Sequence, residues 1–414
     1  MTFKKITPCF LLFLTISIFA QETSTKLKLY GYVGNDFFYN SRQNKDMVDG
    51  VIQLFPLPTD LSAAGVDKNA VPQAEMLSVN TRLGMDISGA PILGAKSSAK
   101  IEADFDGFGT SFYVFRIRQA YMKLNWNKTE LVVGQTWHPM FGTVAPSTLS
   151  ANGGAPFQPF NRSPQVRLKQ NLCTSLSITA ALLYEMQYSS TGPLGPSNVY
   201  MKNAMVPDVF LGVENKTNHW TNGIGVDYKT ITPDTKQVSS LSAVAYSQYV
   251  NSKFQLKGKV IYGQNLSDQL MVGGYGVSKF AADSTTAISY TNFNTVNTWV
   301  NAVYGSKLQV GLLLGLSQNL GTSELLDIKK GGKFTNYGYG FYDVNDANNK
   351  TQQQMIDRLY RIAPNVTYNL QNVKFGIEYD FTAASYGSIQ RDGSVMNPYT
   401  VSNNRILISM MYLF

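Results

Sequence analysis

Apolar and polar residues alternate with a period of two through most of this chain. In 77–88 the apolar members are Leu77, Val79, Leu83, Met85 and Ile87. In 373–381 they are Val373, Phe375, Ile377, Tyr379 and Phe381. Successive side chains of an extended strand point to opposite faces, so each such stretch predicts a strand with one apolar and one polar face.

The pattern predicts sixteen strands. They lie near 27–39, 76–88, 97–107, 112–125, 130–137, 164–172, 175–188, 207–216, 219–229, 238–250, 253–263, 294–304, 307–319, 356–368, 372–384 and 404–414. The links after even-numbered strands are short, whereas many links after odd-numbered strands are long. The long ones are 40–75, 138–163, 264–293, 320–355 and 385–403.

Short and long links in alternation, with an even number of strands, predict an all-β fold. The expected architecture is a transmembrane antiparallel up-and-down β-barrel with short periplasmic turns and long extracellular loops. Any single strand of this kind also fits a half-buried soluble sheet, but sixteen of them do not. Only 15% of residues are charged, against about 25% in soluble globular chains. A barrel of this size should hold water inside and meet lipid outside.

Both ends of the chain predict export to the outer membrane of a Gram-negative bacterium. Residues 1–20 read as a secretory signal peptide, with Lys4 and Lys5 before an apolar run that ends at Ala20. The barrel domain would then be 21–414, with Cys173 as its only cysteine. The last strand ends on the aromatic Phe414, which resembles the signal read by the barrel assembly machinery.

Aromatic residues near the strand ends predict two girdles at the lipid–water interfaces. The short-turn girdle would contain Trp126, Trp220, Tyr304, Tyr368 and Phe414. The long-loop girdle would contain Phe37, Tyr39, Phe105, Trp137, Tyr188 and Phe381.

Charged residues on the inward faces are the candidate pore-lining residues. They form columns on neighbouring strands, namely Arg82, then Glu102, Asp104 and Asp106, then Arg116 and Arg118, then Arg167 and Lys169. Two interpretations stay open, and they are compatible. The columns could set the field of a pore, or they could form cross-strand ion pairs that fix the register of the strands.

The segment 138–163 is the candidate constriction. It is rich in Gly, Pro and Phe, and Arg162 is its only charge that is fixed at neutral pH. Such a segment can fold into the barrel and narrow it, although a free surface loop is the alternative. With Arg162 beside the basic columns, a narrowed pore would favour anions over cations.

Two stretches resemble general Gram-negative porins, and most of all the DcaP-like porins. They are RIRQAYMKLNWNKTELVVGQTWHPMFG, from Arg116 to Gly142, and FNRSPQVRL, from Phe160 to Leu168. The resemblance implies a sixteen-stranded homotrimer that admits small anionic or polar solutes such as dicarboxylates. It also implies that Arg116, Arg118, Arg162 and Arg167 are eyelet residues.

Other classes of function find less support. His138 and His219 are the only histidines, and neither has a nucleophile at a recognisable spacing, so we expect surface histidines and no enzyme. No motif predicts a cofactor or a metal. The basic composition suggests nucleic acid, but an exported chain with dispersed cations does not. The alternative that stays open is a surface adhesin or receptor barrel, whose long loops at 40–75 and 320–355 bind an external partner.

Overall fold

The computed structural model describes residues 25–107, 114–283 and 285–414, and the predicted signal peptide 1–20 lies outside them. In these residues sixteen antiparallel strands form a closed barrel, which confirms the predicted fold class. They are β1 (Lys26–Asn40), β2 (in two pieces, Gln73–Leu77 and Arg82–Ser88), β3 (Lys96–Asp104), β4 (Arg116–Asn125), β5 (Thr129–Trp137), β6 (Arg162–Asn171), β7 (Leu176–Leu183), β8 (Asp208–Lys216), β9 (Trp220–Ile231), β10 (Val238–Val250), β11 (Phe254–Gln264), β12 (Ala287–Gly305), β13 (Leu308–Thr322), β14 (Thr351–Leu370), β15 (Val373–Ile389) and β16 (Val395–Leu413). The barrel closes where β1 pairs with β16, from Tyr32 opposite Leu413 to Asn40 opposite Arg405.

Smaller elements lie between the barrel strands. They are the strands Asn44–Met47, Ile52–Pro56, Thr191–Gly192, Gly195–Pro196, Gly273–Phe280, Asn336–Tyr339 and Phe341–Asn345, the helix Val199–Ala204, and the 3-10 turns Pro139–Phe141 and Ser267–Gln269. No helix in the described part of the chain is long and apolar enough to cross a membrane.

The two faces of the barrel wall differ as the alternation predicts. Outward apolar side chains such as Ile224 and Ile377 are 64% and 48% exposed. Their inward polar neighbours, such as Asp227 and Glu378, are buried. A closed barrel leaves no unpaired strand edge, so such an apolar outer band can contact hydrocarbon directly.

Strand β2 departs from the predicted alternation. Leu77 and Val79 face inward and are buried, although the sequence pattern placed them on the same outward face as Leu83. The pairing with β1 explains this, because Asp36 lies opposite Leu77 and Tyr32 lies opposite Arg82. Between these two pairs β2 has one residue more than β1. The extra residue acts as a β-bulge, so Leu77 and Val79, which precede it, point to the inward face instead of the outward one.

Three of the expected long loops are partly strand. β12 and β14 begin earlier than predicted, at Ala287 and Thr351, and they have 19 and 20 residues. β15 and β16 continue as a hairpin up to the pair Ile389 and Val395. About ten residues suffice for a strand to cross the bilayer. The remaining residues of these long strands therefore lie outside the lipid, where they stay hydrogen-bonded to neighbouring strands.

The interior holds an apolar core, which the sequence pattern did not predict for so wide a barrel. Two segments lie inside the wall, the hairpin 44–56 and the segment 138–161 that follows β5. Apolar side chains of both segments are buried against inward residues of β12 to β16. The cluster includes Ile52, Leu54, Phe55, Val144, Phe157, Trp299, Leu313, Leu359 and Ala384. The lumen is thus narrowed by packed protein.

Candidate functional site

The segment 138–161 crosses the lumen and is held by the opposite wall. The backbone N–H groups of Leu149 and Ser150 donate to the carboxylate of Glu378, at 2.8 and 3.2 Å. The N–H of Ser147 donates to Asn301 Oδ1 at 2.9 Å. Hydrogen bonds to a buried carboxylate are stronger than neutral ones, so Glu378 is a strong anchor for the middle of the segment.

Lys259 and Trp299 hold the two ends of the same segment. Lys259 Nζ donates to the carbonyl oxygens of Met140, at 3.3 Å, and of Phe141. Trp299 Nε1 donates to Gln158 Oε1 at 2.9 Å. The buried Lys259 amino group thus finds hydrogen-bond acceptors in two loop carbonyls.

Arg361 on β14 joins both inserted segments to the wall. Its guanidinium group donates to the carbonyl oxygens of Ala155 and Leu54, each at 2.8 Å, and pairs with Asp380 Oδ2 at 3.1 Å. The side chain is 1% exposed. The sequence analysis did not single out Arg361. Alternation along β14 would have placed it on the inward face, because its neighbour Ile362 is exposed on the outward face.

The predicted charge columns on β3 and β4 form one ion-pair network. Arg116 binds Asp104 through Nε and Nη2, at 2.7 and 3.2 Å, and lies 3.5 Å from Asp106. Arg118 binds Glu102 at 2.9 Å and also contacts Asp104. The register places Asp104 directly opposite Arg116, so the pairs follow from the sheet itself. Much of this charge is compensated within the wall.

Arg162 differs from Arg116 and Arg118 because its charge has no carboxylate partner among the described residues. Nε donates to Gln187 Oε1 at 2.9 Å, whereas Nη1 and Nη2 have no hydrogen-bond acceptor. The guanidinium carbon lies 4.2 Å from the centre of the Trp137 ring and 5.5 Å from that of Phe160. The whole residue is 0% exposed. The guanidinium group of Arg162 thus lies over the Trp137 ring and near Phe160, and its charge is not neutralised by a carboxylate of the described residues.

The remaining predicted pore residues line the same inner wall. Arg82 lies over the Tyr32 ring, 5.1 Å from its centre. Lys169 pairs with Glu214 at 3.0 Å. Arg167 and Lys169 line a cavity of about 270 Å³ beside the root of the crossing segment. The described residues provide no carboxylate within ion-pair distance of Arg82 or Arg167.

Three aromatic residues of the predicted long-loop girdle face inward. Trp137 stacks on Phe141 with 4.0 Å between ring centres, and Phe160 lies edge-on to it at 5.1 Å. Tyr188 is 4% exposed, and Phe105 packs against the same core. These rings therefore support the crossing segment and do not contact lipid.

His138 is also placed differently from the prediction of a surface histidine. It is 2% exposed and lies between two buried aspartates, Asp208 and Asp227. The inward turn of the chain at Pro139–Phe141 buries it, because His138 is the first residue after β5.

Comparison with solved structures identifies the fold. The outer membrane channel DcaP of Acinetobacter baumannii superimposes with a TM-score of 0.67 at 18% sequence identity, covering 94% of this chain and 97% of that one. The chain has the porin fold. An anion-selective porin from Comamonas acidovorans gives a TM-score of 0.55 at 11% identity, covering 94% and 100% of the two chains. Salmonella typhi OmpF gives 0.52 at 12% identity, covering 94% and 98%.

Sequence comparison is less informative than structure for this porin fold. No protein-family model and no curated protein sequence matches the chain. The likeness therefore concerns architecture, because only a fifth or less of the residues are shared. The apolar outer band and the porin fold agree with the predicted location in a Gram-negative outer membrane.

Proposed function

We propose that this chain is an outer-membrane porin, a diffusion channel for small hydrophilic solutes with a weak preference for anions, small carboxylates among them. It works without a cofactor and without catalysing a reaction. The narrowing is formed by the segment 138–163 together with the hairpin 44–56. Outer-membrane lipid surrounds the barrel, and the chain associates as a homotrimer.

The unpaired guanidinium group of Arg162 is the observation that carries the anion preference. Its Nη1 and Nη2 groups are buried and have no acceptor, and Arg116 and Arg118 act on it electrostatically. Because Nη1 and Nη2 are buried, this charge acts on a passing carboxylate or chloride through its electric field in the wall and not by direct contact. Glu378, by contrast, uses its oxygens to accept backbone N–H groups.

Reversal potential in a planar bilayer tests this proposal. Under a salt gradient the wild-type protein should show stepwise currents and an anion-favouring potential, with closures in threes if it is a trimer. Arg162→Gln should move the potential toward cations, because it removes the uncompensated charge at the narrowing.

Arg358→Gln is the matched control. Arg358 also donates through Nε to a glutamine, Gln318 Oε1 at 2.8 Å, but its side chain is exposed outside the lumen. It should leave the potential unchanged. An equal effect of both substitutions would contradict the role of Arg162. A silent membrane with folded protein would contradict the porin itself and favour the receptor barrel.

A further inference from the structure

His138, Asp208 and Asp227 form a compact buried group at the root of the crossing segment. Asp208 begins β8 and Asp227 lies on the adjacent β9, both facing inward. His138 Nε2 is 3.3 Å from Asp208 Oδ2 and 3.7 Å from Asp227 Oδ1. One donor atom from each residue lies within 4.8 Å of the other two. The side chains are 1%, 3% and 8% exposed.

These distances suit a small tetrahedral metal ion. Zinc binds imidazole nitrogen and carboxylate oxygen at about 2.0–2.2 Å, so neighbouring ligand atoms lie ~3.4 Å apart. The separation of His138 and Asp208 already has this value, and that of His138 and Asp227 needs only a small closing movement. A fourth position would remain for water.

One carboxylate oxygen of each aspartate lacks a donor. Asp208 Oδ1 and Asp227 Oδ1 have no hydrogen-bond partner, although both residues are buried. Buried polar atoms are nearly always paired, so two unpartnered carboxylate oxygens side by side require an explanation. Two ionised carboxylates this close repel each other, and either a proton on one of them or a cation bound between them removes that repulsion.

The surroundings supply too little positive charge to compensate both aspartates. The nearby Lys229 contacts Asp268 and lies 3.8 Å from Glu185, so its charge is already shared. Burial raises the pKa of the Glu185 carboxyl to about 7, so this group is partly ionised at neutral pH. A divalent ion at His138 would balance the remaining negative charge.

We propose that His138, Asp208 and Asp227 bind one divalent transition-metal ion, with Zn²⁺ the best fit. The ion joins the first residue of the crossing segment to two strands of the wall. It therefore fixes the root of the narrowing, whatever solute the channel admits. The proposal concerns metal binding alone and does not depend on the channel being selective.

Ligation changes two hydrogen bonds of His138. The N–H of Met140 donates to His138 Nδ1 at 3.2 Å, which places the hydrogen of a neutral ring on Nε2. Metal binding through Nε2 moves that hydrogen to Nδ1, so the contact with Met140 is given up. The hydrogen bond from Nε2 to Asp208 Oδ2, at 3.3 Å, is replaced by the metal bond. The loss is that of two long hydrogen bonds, which is small beside the binding of a structural zinc ion.

Zinc uptake by the full-length, detergent-purified protein tests the site. All proteins carry Cys173→Ser, because this exposed thiol could bind zinc by itself. After equilibrium dialysis against ZnCl₂, metal analysis should find one zinc ion per chain. His138→Gln and Asp227→Asn should each weaken binding by about 100-fold or more, since each removes a direct ligand.

His219→Gln is the matched control because His219 is exposed at a short turn, with Nδ1 near the carbonyl oxygen of Val250. It should bind zinc like the parent. Thermal unfolding is the second readout, and zinc should raise the melting temperature of the parent and of His219→Gln but not of His138→Gln. No uptake by the parent, equal uptake by the parent and His138→Gln, or Ca²⁺ uptake in place of Zn²⁺ would overturn the proposal.

Discussion

At the scale of single residues, the interior is organised by buried charges that bind backbone. Arg361, Glu378 and Lys259 each hold a carbonyl or N–H group of an inserted segment. The sequence allows the inward face of such residues to be read from alternation. It does not reveal their partners, because Ala155 and Leu54 lie more than two hundred positions from Arg361.

Replacement of Arg361 should release both inserted segments. Arg361→Gln leaves Asp380 without its cation and the carbonyls of Leu54 and Ala155 without a donor. Loss of one partner of a buried pair costs about 3–5 kcal/mol. We expect larger and noisier single-channel currents, with a lower melting temperature. Arg358→Gln is the control, because Arg358 is exposed three positions away, and it should behave like the wild type. Unchanged currents in Arg361→Gln would show that other contacts hold the inserted segments.

At the scale of elements, the sixteen barrel strands could be predicted because alternation is a local property. Details that depend on pairing could not be predicted. The bulge in β2 turns Leu77 and Val79 to the inward face. The paired strands β15 and β16 extend beyond the lipid. The hairpin 44–56 was hidden in a long link, because its second strand is short and all five residues from Ile52 to Pro56 are buried, so its two faces do not differ in exposure.

Removal of the hairpin 44–56 should widen the channel. Its side chains Ile52, Leu54 and Phe55 are 1%, 0% and 0% exposed inside the barrel. If a short Gly-Ser linker replaces the hairpin, the apolar core loses these contacts and water enters. Single-channel conductance should rise clearly in a planar bilayer. The same linker in place of the exposed turn 346–349 is the control and should leave conductance unchanged, whereas equal conductance of both variants would place the hairpin outside the ion path.

At the scale of the whole molecule, the electric field in the pore depends on how far the charged columns of neighbouring strands neutralise each other. The predicted arginines on β4 are paired with carboxylates on β3, which agrees with the cross-strand interpretation of these columns. The net field then depends on charges without a partner, above all Arg162. Sequence could name the charged residues but could not distinguish paired from unpaired ones, because pairing depends on register and on the path of the crossing segment.

This balance predicts how paired substitutions act on selectivity. Arg116→Ser with Arg118→Ser leaves Glu102, Asp104 and Asp106 uncompensated, so the reversal potential should shift toward cations. Adding Glu102→Gln and Asp104→Asn should restore most of the wild-type potential, because two negative charges are then removed together with their two positive partners. The shift should shrink from 0.1 M to 1 M salt, where the screening length falls from about 10 to about 3 Å. A shift that persists at 1 M salt would mean that pore shape, and not the long-range field, sets the ion preference.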